Sequence, residues 1–145
     1  MSLKTISPVI LPMALARKIS EAAIAAVAST GVPFTISIVD GGGHPVLITR
    51  MDGAAIASIE TSITKARTAA YFAHATKDLA KAVADGQSLA TIQTSTPYRL
   101  TFVAGGIPMR DEHGTVIGAI GAGGASPQED HEVAAAGAHA AGPAA

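Results

Sequence analysis

The sequence contains no cysteine and no tryptophan, and only 3% of its residues are aromatic. Without cysteine there can be no disulfide, thiolate-bound zinc, iron–sulfur cluster or thiol nucleophile. Metal ligands are left to His, carboxylate, Thr and Tyr oxygen. So few aromatic rings argue against base-stacking platforms for nucleic acid and against a deep haem pocket, since rings supply much of the contact area around such ligands. Charge of one sign is also missing. Ten Lys and Arg stand against eleven Asp and Glu, a net charge of −1, so there is no basic excess to neutralise a phosphate backbone and no nucleic-acid partner is expected. No apolar run is long enough to span a bilayer, so no membrane partner is expected either. Met1–Lys18 lacks the charged start, apolar middle and cleavage site of a leader. A cytoplasmic location is the expectation.

What is present is a chain of 145 residues, 48% hydrophobic, enough for one domain (1–145) with a core built from Ala, Val, Ile and Leu. Pro12 marks a helix start, and Leu15, Ile19, Ala22, Ala23 and Ala26 recur at helical spacing until Gly31 and Pro33. The period then changes to two. Phe34, Ile36 and Ile38 alternate with Thr35, Ser37 and Val39, and Asp40-Gly41-Gly42-Gly43-His44 turns the chain into a second strand over Pro45–Arg50, which predicts a hairpin. Ile56, Ile59, Ile63, Ala66 and Ala70 mark a long helix, and Thr76 is the expected N-cap of a helix from Lys77 to Ala84. Three further strands are read over Tyr98–Val103, Ile107–Arg110 and Thr115–Gly121. Ser126-Pro127-Gln128-Glu129 is a capping box with proline at the first helical position, opening a helix to Ala141. The expected architecture is α+β, a five-stranded antiparallel sheet flanked by helices.

Several segments occur in a telling order. They are Ile38-Val39-Asp40 with its glycine-rich turn, Arg50-Met51-Asp52-Gly53-Ala54, Lys65-Ala66-Arg67-Thr68-Ala69, Gly105-Gly106-Ile107-Pro108 and Gly114–Gly121. In this order they resemble the HbpS-like haem-binding family, which also contains GlcG and the C-terminal domain of PduO, over about Leu11 to Ala141. The resemblance implies a profilin-like fold, dimers or larger rings, and in several members binding or degradation of haem. One branch is thought to hold the iron through a threonine oxygen, for which Thr68 is the match by motif position.

Lys65 and Thr68 lie three apart on a helix and offer a cation and a hydroxyl to one anionic ligand. In the competing reading, Lys65 pairs with Asp52 and Thr68 bonds back into its own helix. His131, beside Asp130 at a helix start, is the best placed of five histidines to ligate a metal, because a helix N-terminus favours its neutral form. His44 and His113 fall in turns, and His74 and His139 near helix ends. Gly121, Gly123, Gly124 and Ser126 form a strand-to-helix turn whose bare amides suit an anion. Gly118 and Gly121 leave space on a sheet face for a ligand or a neighbouring subunit. No Gly-x-Ser-x-Gly elbow or dinucleotide fingerprint is present.

Two functional readings follow. In the first, the protein binds haem or a similar small planar anion, with Arg50, Lys65, Thr68 and the glycine turn as ligand contacts and Thr68 or His131 as metal ligand. In the second it is an enzyme acting on a small carboxylate or degradation intermediate, with Arg50, Asp52, Lys65 and Arg67 as anion clamp and acid/base, Asp52, Lys65 and Arg67 being the catalytic candidates. A purely structural assembly partner is a third possibility. The alanine-rich last helix and the edges of an antiparallel sheet predict a homo-oligomer, at least a dimer.

Overall fold

The computed structural model describes residues 11–142. The reading of Met1–Lys18 therefore falls largely outside the described residues, as do the ends of the 1–145 span. The elements are α1 (Met13–Val27), β1 (Thr35–Asp40), β2 (Pro45–Arg50), α2 (Ala57–Phe72), α3 (Thr76–Leu79), a 3-10 turn at Ile92–Ser95, β3 (Gly106–Arg110), β4 (Val116–Gly123) and α4 (Pro127–His139). One sheet runs in the order β2-β1-β4-β3, every neighbouring pair antiparallel. Helix α2 covers one face, and α1 and α4 pack together on the other.

Alternation along the strands decides which side chain meets which helix. Ile36, Ile38, Ile120 and Ala122 point into the main core, where they meet Ile19 and Ala23 of α1 and Val133 and Ala134 of α4. Burying each large aliphatic side chain there contributes about 1.5–3 kcal/mol. The opposite face is unusually polar and small. Thr35 and Ser37 bond Ser58 and Ser62 of α2 at 2.8 and 2.7 Å, and Val39 and Ala119 meet Ala66, Ala69 and Ala70.

Helix α2 sits almost on the backbone of this face. A Cβ at Gly121 would collide with the carbonyl oxygen of Ser62, whereas Gly118 looks to the other face, where a Cβ would meet the carbonyl of Val39 and the side chains of Met109 and Leu11. The space that the sequence left for a ligand or neighbouring subunit beside these two glycines is thus filled by the protein itself.

The two hairpins share one turn design. Asp40 Oδ1 accepts from the amides of Gly42 and His44, and Asp111 Oδ1 accepts from those of His113 and Thr115. Gly43 and Gly114 both take φ +82°, a conformation open to glycine because it has no Cβ.

The sheet has four strands, not five. Residues 98–103 form no strand of the sheet and lie along α2. There Thr101 N donates to the Thr68 hydroxyl at 2.9 Å, and the Thr101 hydroxyl donates to that of Thr64 at 2.8 Å. Side-chain hydroxyls replace a strand partner. Helix α3 is also shorter than expected. Thr76 is its first residue rather than its cap, because its hydroxyl is engaged elsewhere, donating to Val103 O at 2.7 Å and accepting from Gly106 N at 3.0 Å. At α4 the capping box forms as expected, with Glu129 N donating to Ser126 Oγ and Ser126 N to the Glu129 carboxylate. The same hydroxyl and amide of Ser126 hold the Glu129 carboxyl below its ordinary range.

Candidate functional site

Lys65 is buried, with 3% of its surface exposed. A lone ammonium cannot be held so deep cheaply, and its partners explain how it is. Nζ donates to Asp130 Oδ2 at 2.6 Å and to Ala122 O at 3.1 Å. Asp130, in the first turn of α4, also accepts from Ala125 N through Oδ1 at 3.0 Å. Its negative charge at a helix N-terminus is favoured by the helix dipole. The pair joins α2, the end of β4 and the start of α4 in one network. Lys65 does not pair with Asp52, which is exposed in the turn after β2.

Lys65 and Asp130 border an open cleft of about 300 Å³ between the N-terminal half of α2, the segment around Thr101 and Val103, and the turn into α4. Its walls alternate small apolar groups, such as Ala57, Ala125 and Pro127, with the hydroxyl-bearing Ser58 and Thr61. Ile56, 79% exposed, precedes the helix beside it, and Val103 on its far wall is 47% exposed.

The residues singled out in the sequence separate into groups. Lys65 and Gly124 line the cleft. Gly123 lies beneath it against Ser58 and Thr61. Ser126 is committed to its cap, and Gly121 is covered by α2. Thr68 is fully buried one turn beyond Lys65. Its hydroxyl donates to Thr64 O at 2.7 Å and accepts from Thr101 N, as the reading in which it bonds back into its own helix has it. Arg67 reaches Gly43 O at 3.3 Å and lies over the Tyr98 ring, its carbon 5.2 Å from the centroid. Tyr71 stands beside that ring, its pKa raised chiefly by burial, then by Tyr98 and against the pull of Arg67. Arg50 is exposed on the edge strand β2.

His131 lies outside the cleft lining. Its Nδ1 is buried without a hydrogen-bond partner. Burial first, and then the positive charge of Lys77, lower its pKa, against Asp78 and Glu132. Among the described residues no group of three or more His, Asp or Glu side chains converges on a metal position. No helix among them is long and apolar enough to cross a membrane.

Sequence reasoning did not find Asp130, the partner that makes a buried Lys65 tolerable. It named the residue only as a neighbour of His131, since a contact spanning 65 positions leaves no local pattern.

A four-stranded antiparallel sheet with helices on both faces and a polar cleft at one helix start makes this a compact α+β protein. The family described as haem degrading protein HbpS-like matches residues 11–139, and the chain belongs to that family. It is 35% identical over 124 residues, 86% of its length and 87% of the relative's, to an uncharacterised 15.0 kDa protein in the dhaT-dhaS intergenic region of Citrobacter freundii. The crystal structure of Klebsiella pneumoniae ORFY superposes with TM-score 0.85 at 30% identity, covering 97% of each chain. The PduOC:heme complex superposes with TM-score 0.84 at 28% identity, covering 91% of this chain and 95% of that one.

Proposed function

We propose that this protein binds haem, or a planar anion of similar shape, at the cleft between α2 and the start of α4. The observation that carries the reading is the buried ammonium of Lys65 at that cleft, supported by the haem bound to a structural relative. A haem propionate is the kind of oxygen acceptor such an ammonium recognises, and the exposed Val103 on the cleft wall gives the macrocycle an apolar surface to lie on. A cavity of about 300 Å³ is at the small end of ligand pockets, so the ring lies across the mouth instead of being enclosed.

The iron is a different matter. The Thr68 hydroxyl is spent inside the protein, and the cleft presents no imidazole. His131 retains a buried ring nitrogen without a partner and is the residue to test for ligation.

Ile56, 79% exposed beside the cleft, supports assembly into at least a dimer in which a second copy covers it. Titration with haemin tests the binding reading. A saturable Soret shift at stoichiometric ligand, weakened in Lys65→Met and restored in Lys65→Arg, is expected. A spectrum matching free haemin throughout would overturn it.

A further inference from the structure

The hydrogen-bonding inventory of the cleft is lopsided. An ammonium has three donors, and Lys65 spends two on Asp130 and Ala122, leaving one for whatever occupies the cleft. The hydroxyls are the reverse. Thr61 Oγ1 donates to Ala57 O at 3.0 Å, and Thr101 Oγ1 donates to Thr64 Oγ1 at 2.8 Å. Each hydroxyl has one proton, so both threonines present only lone pairs. Thr61 stands one helical turn before Lys65, on the same side of α2. A molecule complementary to this pair carries an acceptor oxygen for Lys65 and, a short distance away, a donor hydroxyl for Thr61. The remaining wall of Ala57, Ala125 and Pro127 suits a short aliphatic group.

We infer that the cleft takes a small α-hydroxycarbonyl compound, an acid or a ketone of a few carbons. Its carbonyl or carboxylate oxygen accepts from Lys65 and its hydroxyl donates to Thr61. The inference deepens the reading of this cleft as the ligand site and rests on it, while naming a ligand far smaller than haem.

The full chain, labelled with nitrogen-15, is titrated with 2-hydroxybutyrate, 1-hydroxy-2-butanone and butyrate while the amide resonances of Gly124 and Ala125 are followed. Saturable shifts with the hydroxy acid, the hydroxy ketone or both are expected, with butyrate about tenfold weaker for want of one hydrogen bond. Which of the two hydroxy compounds binds tells whether the acceptor is a carboxylate or a ketone. Thr61 is exposed, so Thr61→Val should fold normally and bring 2-hydroxybutyrate down to the level of butyrate. No shift with either hydroxy compound, or equal binding of butyrate, would overturn the inference. Haemin, read separately by its Soret band, keeps the two readings apart: haemin binding without these shifts defeats this inference alone, and these shifts without haemin binding defeat the haem reading alone.

Discussion

The ammonium of Lys65 and the carboxylate of Asp130 meet at 2.6 Å with about 4% and 6% of their side chains exposed. They close a contact between the middle of α2 and the first turn of α4. Such a pair gains Coulomb energy only after both ions have lost their water. Its worth therefore shows mainly when one partner is removed.

Asp130→Asn is accordingly expected to destabilise the protein by about 3–5 kcal/mol, because a buried cation is left unpaired. The double variant Lys65→Met, Asp130→Leu removes both charges and should recover most of that loss. Urea denaturation of the two variants and the parent checks this, and a double variant no more stable than Asp130→Asn would show that the pair is not the cause.

Stability should also fall on mild acidification through His131. Its folded pKa lies below the ordinary histidine value, so between the two values the unfolded chain binds more protons. The contribution is complete above about pH 6.5 and is lost as pH falls below that toward the folded pKa. In His131→Gln the dependence of the denaturation midpoint on pH between about 7 and 5 should flatten. An unchanged slope would mean that another group titrates.

The close seat of α2 predicts a severe effect from a small change. Gly121→Ala places a methyl group against the Ser62 carbonyl. Backbone cannot swing aside as a side chain can, and a loss of about 3 kcal/mol or more is expected, at the upper end of overpacking. Thermal unfolding measures it, and a Tm unchanged from the parent would show that the helix can lift freely.

Ala73, at the C-terminal end of α2, has φ 54°. A residue with a Cβ pays about 1 kcal/mol in this left-handed region, where glycine does not. Ala73→Gly should therefore raise the unfolding free energy by about 0.5–1 kcal/mol after the entropy of glycine is allowed for. Urea denaturation checks this, and a decrease would show that the left-handed conformation costs alanine nothing here.

The proposed assembly has its own test. Ile56→Asp puts a charge on the most exposed large hydrophobic side chain among the described residues and should shift the sedimentation profile from oligomer to monomer at micromolar concentration. A parent protein that sediments as a monomer would end the proposal.

The strongest local patterns were legible without coordinates. The β1–β2 hairpin follows from alternation across Asp40–Gly43, and the start of α4 from Ser126, Pro127 and Glu129. Both rest on contacts within a few residues. The five ordered motifs were enough to reveal the family. The segment 98–103 reads as a strand because its alternation suits one, and nothing within it tells that its partners are the hydroxyls of Thr64 and Thr68. Thr76 has the chemistry of a cap, yet Val103 and Gly106 claim its hydroxyl.

At the candidate site the division is the same. The sequence by itself determined that Lys65 lies on a helix of α+β architecture, that a capped helix starts at Ser126 and that small residues dominate the chain, because helix periodicity, capping and composition are local properties. Only the tertiary structure decided that Lys65 belongs to Asp130 and not to Asp52, that Thr68 faces the interior of the protein, and that Gly121 makes room for a helix. Those outcomes depend on how closely α2 settles on the sheet, a distance set by packing between residues far apart in the chain.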